Sequence, residues 1–202
     1  MDFSTVKAIR IPEGAVTKIT DASGRVLWKK AASGEPYTFI DSLVISAGAT
    51  LNTGITCDST DYLWVDFAPL AASMFGHIVN AGTSRLVGFE ISGSTLKSNL
   101  GKYSKNLLAI SSGVRHTVHV VDKDVYVDGE YFARYIGVRN FTADTPINIG
   151  GVSGKIRLWG VKHGTSAFSV DFHAVPAIRN SDQTVGLYDQ VGKKFYPYGS
   201  AN

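Results

Sequence analysis

The sequence predicts an all-β fold, and three observations carry that prediction. Helical periodicity is nearly absent. Short strand-like runs recur at spacings of roughly 8–12 residues with turn signals between them. Glycine supplies 21 of the 202 residues, where a globular average of roughly 7% would give fewer. The longest stretch poor in Gly and Pro, Arg115 to Val127, alternates with period two and is rich in Val, which suits a pleated surface. A sandwich or a barrel follows.

Composition bounds the rest. The length fits one domain of generous size, or one domain plus a small appendage. Hydrophobic residues make up 44% and charged residues 18%, which excludes disorder and allows a sizeable core. Twenty Lys+Arg against 17 Asp+Glu leave a net charge of +3, too small for a committed nucleic-acid binder. No apolar run approaches the roughly 18 residues that cross a bilayer. Neither a nucleic-acid partner nor membrane insertion is therefore expected. The single cysteine, Cys57, excludes an internal disulfide framework and a cysteine-based zinc cluster. It lies between Thr56 and Asp58 near an expected turn and reads as a free, half-buried thiol rather than a nucleophile. The opening residues, Met1-Asp2-Phe3-Ser4-Thr5-Val6-Lys7, lack the apolar stretch of a secretory signal.

Taken in order, the first thirty residues form a unit of their own, with strands expected at 5–11, 15–20 and 25–30. Val16-Thr17-Lys18-Ile19-Thr20 and Arg25-Val26-Leu27-Trp28-Lys29 flank Asp21-Ala22-Ser23-Gly24, a polar turn whose Gly supplies a positive φ. Ile9 and Ile11, before Pro12-Glu13-Gly14, add the third strand, and Trp28 is the expected anchor. Three short strands bury too little to stand alone. They must rest on the main domain, on a neighbouring subunit or on a larger assembly. The linker Ala31-Ala32-Ser33-Gly34-Glu35-Pro36 separates this attachment element, 1–33, from the main domain, 34–202. There, strands are expected at 37–46, 61–68, 74–80, 85–91, 94–100, 106–111, 114–121, 124–128, 130–135, 146–149, 154–163, 167–175, 184–188 and 193–197.

Catalytic chemistry finds little support. A glycosidase needs two carboxyls about 5–9.5 Å apart, and the closest pairing is Asp128-Gly129-Glu130, whose Gly marks a hairpin turn. Asp122-Lys123-Asp124, with Asp128 beyond, could offer oxygen ligands to calcium. Polar turn residues between two Val-rich strands explain that run more simply, and no cofactor is expected. His116 and His119 are three apart on one strand and so face opposite ways. His77, His163 and His173 have no acidic or thiol neighbours at ligand spacing, so all five histidines read as structural or surface residues. Gly150-Gly151-Val152-Ser153-Gly154 precedes no helix that could cradle a phosphate, and no serine sits in a nucleophile-elbow pattern. The sequence points to no enzyme.

Aromatic residues are the remaining lead. In Tyr62-Leu63-Trp64-Val65-Asp66-Phe67, alternation puts Leu63, Val65 and Phe67 on a core face and Tyr62, Trp64 and Asp66 on the other. Two aromatic rings beside a carboxylate can stack on a sugar and hydrogen-bond its hydroxyls. Cover by the N-terminal strands or by another subunit is the competing reading. Tyr126, between Val125 and Val127, is a further outward candidate, whereas Trp159 is expected in the core.

Four pieces in order resemble the concanavalin A-like, or laminin G-like, jelly-roll domains of phage, prophage and bacterial surface proteins. They are Phe39-Ile40-Asp41-Ser42 through Thr50-Leu51-Asn52-Thr53-Gly54-Ile55 with the Leu63-Val65-Phe67 strand; Arg115-His116-Thr117-Val118 with Val125-Tyr126-Val127-Asp128-Gly129; Ile147-Asn148-Ile149-Gly150-Gly151; and Asp171-Phe172-His173-Ala174-Val175-Pro176 with Val185-Gly186-Leu187-Tyr188-Asp189 and Lys193-Lys194-Phe195-Tyr196. The resemblance covers about residues 37–198 and implies a two-sheet antiparallel jelly-roll sandwich behind a small N-terminal hairpin. The Glu-x-Asp-x-Glu-like strand of the related glucanases is missing, so their activity is not implied. The Val16 to Lys29 segment is similar to the leading hairpin of prophage-encoded structural proteins.

Together the resemblances imply a phage or prophage virion component of a tail, baseplate or receptor-binding appendage, released by lysis. Its expected partners are other virion proteins or copies of itself, a trimer included, and a bacterial surface glycan held at Tyr62, Trp64, Asp66 and Tyr126. A purely architectural virion protein and an adhesin on the bacterial cell surface are the alternatives.

Overall fold

The computed structural model describes residues 18–20, 26–29 and 36–198. The expected strand at 5–11, the turn at 21–24, the side chain of Trp28 and the 33/34 boundary lie outside what is described. β1 (Lys18–Thr20) and β2 (Val26–Lys29) pair antiparallel with Ile19 opposite Trp28, as the intervening turn predicts.

The chain then forms β3 (Tyr37–Phe39), β4 (Leu43–Ile45), β5 (Thr50–Asn52), β6 (Tyr62–Pro69), β7 (Met74–Ala81) and β8 (Val87–Gly93). Next come β9 (Thr95–Leu100), β10 (Tyr103–Ala109), β11 (His116–Val121), β12 (Asp124–Val127), β13 (Glu130–Arg134) and β14 (Ile147–Gly150). The last four are β15 (Ile156–Ser166), β16 (Ser169–Arg179), β17 (Thr184–Asp189) and β18 (Lys194–Pro197).

Two antiparallel sheets result. The smaller has six strands in the order β10-β9-β8-β7-β14-β5. The larger has ten, on the path β13-β12-β11-β6-β15-β16-β17-β18, with β3 on β16 and β4 on β15. The two-sheet jelly-roll sandwich expected from the sequence is thus the observed fold.

Alternation fills the space between the sheets. Leu63, Val65 and Phe67 of β6, Val118 and Val120 of β11, and Leu158 and Val161 of β15 enter one cluster with Val79, Phe89, Ile91, Leu96, Ile147 and Ile149. None is more than 2% exposed. Burying each large side chain contributes about 1.5–3 kcal/mol before ordering costs, which makes this shared layer the main support of the sandwich.

Four departures from expectation have physical causes. The run at 37–46 is two strands, because the chain leaves β16 after Phe39 and joins β15 at Leu43. β5 is a three-residue edge with only Leu51 buried, too short to show a period. β15 and β16 each reach 11 residues and run past their expected ends at 163 and 175. Trp159 is not in the core. Leu158 before it faces inward, so alternation puts Trp159 outward, and the register shift between Leu158 and Gly160 leaves it without a partner on β6. It lies half-buried and its Nε1 donates to Asp41 Oδ2 at 3.3 Å. The Arg115 guanidinium covers its ring at 4.3 Å.

The central hairpins follow the sequence closely. Asp122 and Lys123 (φ 44° and 71°) join β11 to β12, and Asp128 and Gly129 (φ 52° and 89°) join β12 to β13. Paired positive φ values match the right-handed twist of the flanking strands.

Candidate carbohydrate-binding faces

Each sheet turns one face away from the core, and each such face carries a row of side chains fixed by strand register. Across the larger sheet the row reads Tyr131, Tyr126, His119, Trp64, Lys162, His173, one residue from each of six neighbouring strands. Tyr126 and His119 stack at 4.6 Å with an 11° interplanar angle. Tyr131 meets Tyr126 edge-on at 5.7 Å, and the Lys162 ammonium lies 4.7 Å above the Trp64 ring. Such cross-strand pairs strengthen a sheet, and they already occupy most of the ring faces.

The four sequence-predicted residues fare differently. Trp64 and Tyr126 are half-buried in this row, with His119 between them. Tyr62 is on the same face, but it is only 7% exposed and packs on His119 at 5.4 Å; burial pushes its hydroxyl up to about 12. Asp66 is 5% exposed. Arg115 takes both its oxygens, Nε to Oδ1 at 2.7 Å and Nη2 to Oδ2 at 2.5 Å. Of the expected open pair, Tyr62 and Trp64 beside Asp66, only Trp64 remains partly open, with the separate candidate Tyr126 two strands away.

The smaller sheet holds what the sequence did not reveal. One register line crosses all six strands as Asn52, Asn148, Asn80, Gly88, Asn99, Ser104. A parallel line reads His77, Glu90, Lys97, Asn106, and the exposed Phe75 lies beyond it opposite Ser92. Their neighbours along each strand, among them Val79, Phe89, Leu96 and Ile149, are core residues, so both lines lie on the outward face.

Local bonds hold this face in place. Asn52 Oδ1 accepts from Gly54 N at 2.9 Å, Asn80 Nδ2 donates to the Gly82 carbonyl at 3.1 Å, and Asn148 Nδ2 donates to the Pro146 carbonyl at 3.2 Å. An amide has an acceptor oxygen and two N–H donors, so each stays able to bond outward. Asn99 is 6% exposed, yet among the described residues its Nδ2 has no hydrogen-bond partner. His77 Nε2 also lacks one, although the Glu90 carboxylate is 3.4 Å away. Gly88 interrupts the amide line because a Cβ there would collide with the Val79 carbonyl.

The carboxylates considered for calcium are engaged in the fold. Asp128 accepts from Thr117 N at 2.7 Å and pairs with His116 Nδ1 at 2.9 Å. Asp122 and Asp124 are held by Arg134 at 3.3 and 2.7 Å, at the opposite end of β12 from Asp128. The three acids considered for calcium thus do not converge.

No protein-family model matches the sequence, and no curated protein matches it. Solved structures similar to the chain include galectin LEC-6 of Caenorhabditis elegans, at 18% identity and a TM-score of 0.28 over 63% of this chain and 99% of that one. Domains LG4-5 of the mouse laminin alpha1 chain are similar at 14% identity and a TM-score of 0.34, over 80% of this chain. The chain spans 50% of that laminin structure. The strand pairing itself makes the domain a two-sheet antiparallel β-sandwich.

Proposed function

We propose that the chain is a non-enzymatic, glycan-binding β-sandwich displayed on a phage or prophage virion, and that the saccharide lies along the outward face of the smaller sheet. The observation that carries this reading is the line of amides at a single register level, of which Asn52, Asn80 and Asn148 are each anchored by one bond and able to make others. Sugar hydroxyls donate and accept at once, which suits neutral amides, and Phe75 at the end of the face offers an apolar ring. Anchored side chains lose little freedom on binding. Weak individual sites gain avidity when several copies act together, which accords with the virion placement implied by the sequence resemblances.

Retention on immobilised bacterial surface polysaccharide tests the reading. The double variant Asn80→Ala/Asn148→Ala should lose retention while melting as a folded domain, with Trp64→Ala retained like wild type. Loss with Trp64→Ala or Tyr126→Ala alone would move the site to the larger sheet. Failure of the wild type to bind any such polysaccharide would overturn the glycan reading.

One observation favours a second, architectural reading. Tyr37, Tyr188 and Phe195 cluster on the larger sheet with centroids 4.4 and 5.4 Å apart, and the adjoining Phe39 is 49% exposed. An exposed aromatic group of this kind suits a contact with another virion protein.

A further inference from the structure

Cys57, Asp61 and His163 come together where the 53–61 segment meets β15, although the histidine is 102 residues from Asp61 in sequence. The cysteine sulfur, a carboxylate oxygen and an imidazole nitrogen all lie within 4.8 Å of one another. We infer that these three side chains form a binding site for a thiophilic divalent metal ion of the Zn²⁺ type.

The donor set fits such an ion. Zn²⁺ takes sulfur at about 2.3 Å and nitrogen or oxygen at about 2.0–2.2 Å, so tetrahedral ligands stand roughly 3.3–3.8 Å apart. The widest spacing, at most 4.8 Å, has to close by about 1–1.5 Å, and the 3.0 Å spacing of His163 Nε2 and Asp61 Oδ2 has to open by a few tenths of an ångström. Thiolate with imidazole and carboxylate favours zinc over calcium or magnesium. Three protein ligands leave the fourth position to water.

A second, independent observation concerns the far side of the histidine. His163 Nδ1 pairs with Asp171 Oδ1 at 2.8 Å, which fixes the ring so that Nε2 points at Asp61 Oδ2, 3.0 Å away. A carboxylate behind the imidazole is the usual outer support of a metal-binding histidine. Asp61 Oδ2 is positioned in turn by Asp58 N at 2.7 Å.

Two of the three donors are buried. Cys57 is 1% exposed and His163 4%. Binding forms the metal–sulfur bond as the thiol proton leaves to solvent, so uptake weakens as pH falls. Asp61 is the most accessible of the three side chains, at 15%, and marks the approach.

Titration of the full-length protein with Co²⁺, followed by Zn²⁺ displacement, tests the site. With one cysteine in the chain, a near-ultraviolet thiolate-to-cobalt charge-transfer band can arise only from Cys57. The expected result is that band at one ion per chain, tetrahedral visible bands, and loss of both on adding Zn²⁺. Asp171→Asn should weaken Co²⁺ affinity by roughly 10–100-fold, as outer-support substitutions do, and His163→Gln by more. Absence of the charge-transfer band in folded wild-type protein would overturn the site, whatever the variants do. A band that survives His163→Gln unchanged would overturn the ligand assignment.

Discussion

Arg115 grips Asp66 through two parallel hydrogen bonds, and its guanidinium simultaneously covers the ring of Trp159. Asp66 belongs to β6 and Trp159 to β15, so one side chain clamps neighbouring strands across the outward face of the larger sheet. The arginine is held firmly charged, chiefly by the hydrogen bond to Asp66.

Removing the arginine is therefore more harmful than removing both partners. Arg115→Ala leaves a carboxylate that is 5% exposed without its cation. We expect a loss of about 1–3 kcal/mol, below the full cost of breaking a buried pair because Arg115 is itself 46% exposed. Asp66→Ala combined with Arg115→Ala should recover part of it. Urea denaturation of both single variants and the double variant measures the coupling; strict additivity would show that the clamp contributes nothing.

Two glycines of β15 should respond unequally to alanine. At Gly164 a Cβ would collide with the Ser169 carbonyl, part of the β16 backbone. Gly160 has more room, with the nearest atoms at 3.2 Å (Ala174 O) and 3.5 Å (Trp64 Cζ3). Gly164→Ala is expected to lower stability by about 2 kcal/mol or more and Gly160→Ala by less than about 1. Thermal melts of the two variants side by side would reveal any reversal of that order.

Acid should weaken the fold through two outward histidines. Burial lowers the pKa of His119, and burial together with the nearby Lys162 lowers that of His173. The unfolded chain then binds more protons than the folded one near pH 6, so stability is present above about 6.5 and falls as the pH drops below it. His119→Gln should flatten the decline in melting temperature between about pH 7 and pH 5. An unchanged slope would exclude His119 as a source.

Asp144 acts as a clasp on the turn after β7. Its Oδ1 accepts from Thr83 N at 2.6 Å, and its Oδ2 from Ser84 N at 3.2 Å and Thr83 Oγ1 at 3.1 Å. These bonds hold its carboxyl down to about 2. Their contribution is complete above the ordinary aspartate range of about 4 and disappears as the pH falls through the folded-state value. Asp144→Asn should speed hydrogen exchange at Thr83 and Ser84 at neutral pH while leaving the core amides unaffected.

The assembly role of the N-terminal segment can be tested by light scattering with and without residues 1–33. We expect a trimer or larger species from the full chain and a monomer from the shortened one. Folded monomers in both cases would remove the attachment role.

Local signals carried the fold a long way. Leu63, Val65 and Phe67 alternate as their spacing says, and Asp128-Gly129 makes the turn that its residues favour. Features that depend on pairing were not legible. Asn52, Asn80, Asn99 and Asn148 are ordinary polar positions in sequence and become a line only when four ladders set their register. The Trp159 bulge leaves no mark in composition. His163 has no acidic or thiol neighbour along the chain, yet Asp61, Asp171 and Cys57 surround it once β6, β15 and β16 are side by side.

The stacking of Tyr37 on Phe195 has a topological corollary. These rings sit on the first and last strands of the sandwich, β3 and β18, separated by β16 and β17. With neighbouring strands about 4.8 Å apart, the peptide enters and leaves the domain within about 15 Å. A unit built this way can be spliced into a host protein, or circularly permuted by opening the Asp128-Gly129 turn, with its two faces left unobstructed.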